Sequence, residues 1–506
     1  MFGLLLISVL ALKYRNAFAN SCKLPLRVYN TATKRVEEFC VQEKGKVRGY
    51  VCGPTPYDSM HVGHARTYSF FDTFVKLLRY LGLDVVLVVN FTDIDDKILN
   101  RAREEFGQDM LRRWHEIPER YIREFFDICN KLNIQNATYY PKVTEHINDM
   151  VKAIEELVER GFAYVAPDGS VYFDVTKIQD YGKFSGQDID KLIAGARVEP
   201  EPGKRNPLDF ALWKSWKPGE PWWDTPWGPG RPGWHLECVV MASKYLGVPL
   251  DFHGGGLDLV FPHHENEIAI AKALYGVENL ALYWIHVGLV TVRGEKMSKS
   301  LKNIIPVEDV LKKHSGEALR LYYAMTHYRK PLDFSFEGLE QAEQHLKTLY
   351  AAHDYLLELE RSAKDEPGEK DQELVSKAQE LEQKFIEALL DDVDTSRAVS
   401  ELTSFARYVT STLIYMPEKV SKAVVQAVRM LYIELGRILG ILYRTDIPDW
   451  LVSLIETIIE TRSRLRQLKI FDIADQVRSK LTELGIYVTD TRVRTYWTID
   501  RSKLVY

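Results

Sequence analysis

Within residues 51–66, VCGPTPYDSMHVGHAR, a thiol (Cys52) is followed by a Gly-Pro-Thr-Pro turn and then by two imidazoles, His61 and His64, flanking Gly63. Cysteine and histidine are both common metal ligands, so the three can be read as one metal site. The apolar residues Phe70, Phe74, Leu77, Leu78 and Leu81 recur at threes and fours, which predicts a helix from about 61 to 81. The histidines then stand at a helix N-terminus just after a strand. Free backbone N–H groups and the helix dipole attract phosphate there, and Gly63 lets a ligand approach the backbone closely.

Four further stretches carry chemistry. NFTDIDD (90–96) follows the apolar run 85–89; its aspartates Asp93, Asp95 and Asp96 can bind a cation, or can cap the helix beginning at Lys97, the commoner role. GWHLEC (233–238) opens a helix and places Cys238 beyond Trp234. HGGGLDLVFPHHENE (253–267) runs a strand into three glycines and then puts histidine and glutamate on one helix face, His263 and Glu267 being four apart. An isolated pair of this kind is usually just a polar helix face; with Cys52 and Cys238 it would make a donor set suited to zinc. Spacing does not choose between His263 and His264. EKMSKS (295–300) is a short basic loop after a strand, where lysines can neutralise a triphosphate and otherwise form a solvated turn.

The elements that must position these groups read as strand, helix, strand: strands over 26–39 and 47–52, the helix after His61, and the buried run 85–89. That is the start of a doubly wound α/β fold with a parallel sheet. Residues 109–160 read as helical, 162–173 as strands about an Asp168-Gly169 hairpin, and 283–292 as a strand. Six of the ten tryptophans lie in 213–234 among prolines and glycines, which predicts a loop-rich segment packed by rings. Beyond 338 the pattern is helical, with a charged loop at 364–373.

With 506 residues, 46% hydrophobic, the chain can bury a large core in several domains. A net charge of −5 excludes a globally basic nucleic-acid binder and leaves local patches, such as 462–480 with six Lys/Arg against two Asp/Glu. Five scattered cysteines argue against a disulfide framework, and Cys129 lies on a core stripe. The apolar run 2–12 is too short to span a membrane, and no basic residue precedes it as a secretory signal requires. A cytoplasmic protein is expected, with residues 1–25 as an organelle presequence or an over-long start.

Taken together, HVGH, FTDIDDKI, GRPGWHLEC, HGGGLDLVFPHHENEIA and EKMSKSLKN, in this order, resemble the cysteinyl-tRNA synthetase family of class I aminoacyl-tRNA synthetases, over about residues 26–497. The resemblance implies zinc held by Cys52, Cys238, His263 and Glu267, taking the substrate thiol as a further ligand. It implies a cysteine pocket lined by Gly53, Thr92, Trp234 and His253, ATP contacts from His61, Gly63, His64, Gly255 and Asp258, and lysines Lys296 and Lys299 on the triphosphate. His61, His64, Lys296 and Lys299 are the implied catalytic groups. The partners implied are ATP with Mg2+, L-cysteine and tRNA(Cys), whose anticodon Arg466, Asp475 and Asp490 would contact; a monomer without membrane attachment is expected.

The layout implied is a Rossmann-type catalytic domain over 26–140 and 225–335, an inserted subdomain at 141–224, a helical bundle at 336–447 and a small anticodon-binding domain at 448–506. The tail departs from the family in lacking Pro and Gly before Trp497. A cysteine ligase acting on an amino sugar would end before the C-terminal helices. A zinc hydrolase would give HVGH and EKMSKS no role, and an idle tRNA-binding relative would not keep both histidines and both lysines.

Overall fold

Four parallel strands lie in the spatial order Ala281–Val287, Leu250–Gly256, Lys46–Val51, Asp84–Val89 in a computed structural model. The residues described are 22–188, 203–297, 301–416, 419–492 and 494–501, so Lys299 and the leader 1–21 lie outside them. The chain leaves Lys46–Val51 towards one side and returns on the other, so the strand order reverses at its carboxyl end. Open α/β sheets bind ligands in the crevice formed at such a reversal.

Alternation along the first strand decides what each residue faces. Val47 and Val51 join the core that contains Phe71 and Phe74 of the helix Val62–Tyr80, whereas Tyr50 and Cys52 belong to the opposite core with Cys238 and Ile268. The helix sits close on the sheet because a Cβ at Gly254 would lie 2.1 Å from the Phe71 ring. Along 26–39 the chain folds as a hairpin, Lys23–Asn30 against Arg35–Cys40, which covers the sheet edge through a bond from Thr31 N to Trp284 O (2.9 Å).

The region read as continuously helical from 109 to 160 contains Met110–Arg113, Glu116–Lys131 and Ile147–Glu159. Between the last two, Tyr139 and Lys142 bridge to Val88 and Phe91 beside the parallel sheet. Next comes a four-stranded antiparallel sheet: Ala163–Val165, Val171–Phe173, Phe210–Ser215 and Gly230–Pro232. The tryptophan-rich segment is therefore not all loop. Its two ends pair, Trp213 opposite Pro232, and proline is tolerated because that strand is the edge. This pairing runs past the expected subdomain boundary at residue 224.

The strand expected over 283–292 is broken at Gly288, where a Cβ would meet Lys330 O at 2.6 Å. Val290–Val292 instead joins Glu295–Lys296 and Leu332–Asp333 in a separate small sheet. Helices Phe336–Ser362, Asp371–Leu390, Thr395–Ser411 and Lys422–Ile438 form the bundle, burying Leu339, Ala342, Leu346, Leu349 and Leu356 as the spacing predicts. Helices Asp449–Gln467 and Phe471–Glu483 and the hairpin Ile486–Asp490/Thr495–Ile499 share a small core around Ile455, Leu481 and Trp497. That hairpin is tied to the bundle by Arg494 on Glu358 (2.9 Å) and by Arg501 and Thr498 on Asp354. No helix among the described residues is long and apolar enough to cross a membrane.

Candidate active site

At the crevice, Cys52 leaves the first strand with its N–H bonded to Gly254 O (3.0 Å), which directs its thiol into the second core. Helix Trp234–Leu246 brings Cys238, and the turn before helix Glu265–Tyr275 brings His263 and His264. Ligand atoms of Cys52, His263, His264 and Glu267 all lie within 4.8 Å of one another, and all four residues are buried. Cys238 Sγ borders them, 3.8 Å from Cys52 Sγ and 3.6 Å from His263 Nε2. The same-face spacing holds, since His263 Nε2 is 2.9 Å from Glu267 Oε1. Both imidazoles aim Nε2 inwards, His264 approaching Cys52 at 3.3 Å. Their outer nitrogens are fixed by His235 (3.1 Å) and His286 (2.7 Å) respectively, and His286 is bonded in turn to Thr31.

Burial works against ionisation of Glu267, but His253, His263 and His264 outweigh it and hold the carboxyl well below its ordinary range. Burial pushes the Cys52 thiol well up, with Cys238 adding to the effect, while hydrogen bonding from Cys52 brings Cys238 down to about 7. Glu267 Oε2 is fully buried without an aligned hydrogen bond, although His253 Nε2 is 2.8 Å away. Two thiols, imidazole and a carboxylate with a spare buried oxygen form a soft, anionic donor set, and zinc fits it.

The helix Val62–Tyr80 is capped by His61, whose extended backbone lets its ring accept from Gly63 N (3.1 Å) and His64 N (3.3 Å). The two rings stack with centroids 3.6 Å apart. Burial lowers the His61 pKa against the opposing charge of Asp258. His64 is exposed, yet desolvation by the surrounding protein, with His61 and Lys97, lowers it too, so both rings are neutral at pH 7. A Cβ at Gly63 would press on the His61 ring at 3.0 Å and on Met297 at 3.1 Å. Residues 60–62 pair through their backbone with 305–307: Val62 N donates to Ile305 O (3.0 Å) and Val307 N to Met60 O (2.8 Å). The histidine cap and the segment after the lysine loop are thereby one unit, with Lys296 exposed on its strand.

Thr92 and His253 are buried beside the donor cluster, and Trp234 stacks on His263 at 4.0 Å while staying 37% exposed at the mouth. Gly53 approaches the second strand so closely that a Cβ would fall 1.5 Å from Asn90 O. Gly255 lies against His264, and Asp258 is exposed in the turn that follows. Of the aspartates in 93–96, Asp95 caps the next helix through Lys97 N (2.8 Å) and Asp93 is held by Thr144. Sequence reasoning missed Asn90 and Glu237. The Asn90 amide receives Gly53 N (2.8 Å) and reaches Thr92 Oγ1 (3.3 Å), which donates to Glu237 (3.0 Å). No motif flags either residue beyond its place at a strand end or next to Cys238. In the C-terminal unit Arg466 and Asp475 face each other at 3.7 Å on the surface, whereas Asp490 receives both terminal nitrogens of buried Arg462 (2.9 and 2.8 Å).

A parallel sheet whose switch-point crevice receives a histidine-capped helix, coupled to a lysine loop, defines a class I aminoacyl-tRNA synthetase catalytic domain. Solved structures bear this out at the level of fold. Mycobacterium tuberculosis methionyl-tRNA synthetase in complex with methionyl-adenylate superposes with a TM-score of 0.57 at 15% identity, over 82% of this chain and 94% of that one. Thermus thermophilus arginyl-tRNA synthetase gives 0.52 at 14% identity, over 82% and 84%. Residues 38–344 match the family described as tRNA synthetases class I (C) catalytic domain. The cysteine--tRNA ligase of Pyrobaculum islandicum is 59% identical over 477 residues, covering 94% of this chain and 100% of the relative. That of Thermococcus gammatolerans is 44% identical over 482 residues, covering 94% and 99%. The chain belongs to the cysteine--tRNA ligase family of the class I synthetases. It is an aminoacyl-tRNA ligase, an enzyme whose substrates are an amino acid, ATP and tRNA.

Proposed function

We propose that this chain activates L-cysteine with ATP to cysteinyl-adenylate and transfers it to the 3′ end of tRNA(Cys), selecting the substrate thiol at a zinc site. The observation that carries the reading is the buried donor cluster that begins at Cys52, directly after the strand whose following helix is capped by His61. Cys52, Cys238, His263 and Glu267 hold the metal. Bound zinc supplies a soft Lewis-acid position that prefers sulfur to the hydroxyl of serine. Trp234 closes the mouth over His263, and Gly53, Thr92 and His253 fix the rest of the amino acid.

His61 and His64, both neutral, donate ring N–H groups towards the ATP phosphates, and Gly63 leaves room for the His61 ring to cap the helix. Gly255 and Asp258 receive the nucleoside. Lys296 and Lys299 neutralise the triphosphate, which carries Mg2+, as the cysteine carboxylate attacks the α-phosphorus in line and pyrophosphate leaves. The terminal tRNA hydroxyl then displaces AMP. No side chain needs to form a covalent intermediate, because positioning and charge neutralisation supply the rate enhancement. Arg466, Asp475 and Asp490 serve the anticodon end. The domain layout is that implied by the sequence, 26–140 with 225–335 catalytic, 141–224 inserted, 336–447 a bundle and 448–506 anticodon-binding, except that the inserted sheet extends to its edge strand Gly230–Pro232; the chain acts as a cytoplasmic monomer.

The test is amino-acid-dependent exchange of pyrophosphate into ATP by the full chain. Cysteine is expected to support exchange at least on the order of a hundredfold better than serine. Equal rates would reject thiol selection by the cluster.

A further inference from the structure

Arg66 stands two residues beyond His64 on the capped helix and is 2% exposed, yet no carboxylate among the described residues pairs with it. Its guanidinium donates to four carbonyls instead. Nη1 reaches Gly288 O (2.9 Å) and Leu289 O (3.2 Å); Nη2 reaches Lys330 O (2.7 Å) and His327 O (3.2 Å). A buried cation that holds only neutral dipoles is expensive to keep. Removing it would take a donor from all four carbonyls, so what those carbonyls belong to matters.

They are the roots of two strands. Gly288 and Leu289 lead into Val290–Val292, and Lys330 leads into Leu332–Asp333, which pairs parallel with it. The outer strand of that small sheet is Glu295–Lys296. Asp333 closes the turn from the far side, accepting from Thr291 Oγ1 and Gly294 N (2.8 Å each). Only a planar fork with several donors can hold both roots at once; an ammonium has three donors at a single point.

We infer that Arg66 is a positioning residue that clamps the lysine loop to the histidine-capped helix, so that Lys296 meets the triphosphate while His61 and His64 hold it. The inference rests on the reading of Lys296 as an ATP-site group. The clamp acts in the transition state for pyrophosphate release more than in ground-state binding.

The experiment compares Arg66→Lys, Asp333→Ala and Lys296→Ala, singly and with each of the first two combined with the third. Asp333 is exposed, so its variant loosens the same turn without disturbing the buried helix. Both single variants are expected to lower kcat of pyrophosphate exchange about tenfold with KM for ATP changed less than about threefold, and to cost under about twofold in the Lys296→Ala background. Hydrogen exchange of the amides in 290–296 should also accelerate in Arg66→Lys. Losses that add fully to that of Lys296→Ala, or unaltered kcat, would overturn the inference; should Arg66→Lys not fold, the Asp333→Ala cycle decides. Unchanged hydrogen exchange in a folded Arg66→Lys also overturns it. If Lys296→Ala leaves pyrophosphate exchange undiminished while the amides of Arg66→Lys accelerate, the ATP-site reading falls and the clamp itself stands.

Discussion

Cys238 sits where two networks meet. Its sulfur touches the Cys52 thiol and the His263 ring, and Asn90 Oδ1 lies 3.9 Å away, at the start of the chain of bonds through Thr92 to Glu237. Cys238→Ser keeps the volume close and removes one thiolate. Metal analysis should show bound zinc lost, with metal affinity down by about a hundredfold or more, and calorimetry should show cysteine binding lost while ATP binding stays. A variant that retains its metal removes Cys238 from the ligand set. At this scale the sequence was legible where spacing fixes a shared face, as for His263 and Glu267, and where a motif names a residue. It was silent on the choice between adjacent histidines. His264 enters the cluster because the turn before the helix lets both rings point inwards, and no periodicity encodes that.

At the level of elements, the helix Val62–Tyr80 takes His61 as its cap, and the proposed function asks the same side chain to face the nucleotide. The two duties can be separated, because asparagine is a good N-cap and alanine is a poor one. His61→Ala is expected to cost about 1 kcal/mol of stability and most of the pyrophosphate exchange. His61→Asn should recover the stability, measured by denaturant unfolding, without recovering the exchange; recovery of both would reduce His61 to a cap. Helices and parallel strands were readable because their apolar residues repeat. The broken strand at 281–292 was not, since the break comes from the close approach of Lys330 O to Gly288, a tertiary contact. Nor was the pairing of Trp213 with Pro232, where a segment rich in turn residues is recruited as a sheet edge by a partner it does not encode locally.

Across the whole molecule, one continuous hydrophobic core joins the parallel sheet to the bundle, and buried polar groups are set into its seams. Glu317, 1% exposed on the helix Gly316–Ala324, accepts from Tyr350 Oη (2.7 Å) of the bundle and from Leu442 N beyond it. Burial raises its pKa to about 7, against the lowering effect of those bonds. Below about pH 4.5 the folded and unfolded states both keep this proton. Between there and about 7 only the folded state keeps it, so the stability it contributes is lost as pH rises through that window. Relative to Glu317→Gln, the parent chain should lose about 3 kcal/mol across the window, read by denaturant unfolding at a series of pH values. Parallel slopes for the two proteins would show that Glu317 does not titrate as its burial requires.

The backbone bonds joining Met60 and Val62 to Ile305 and Val307 also set an order of assembly. A chain made from its N-terminus presents Cys52, His61 and His64 early, then completes the inserted sheet, Cys238, the glycine strand and Glu267 before the segment that closes the histidine cap emerges. Contacts so distant in sequence form late, because a long loop must close before they can form. A nascent chain therefore carries His61 and His64 through most of the synthesis of its catalytic domain before the segment that closes the cap exists, and the proposed nucleotide site is complete only once that segment has been made.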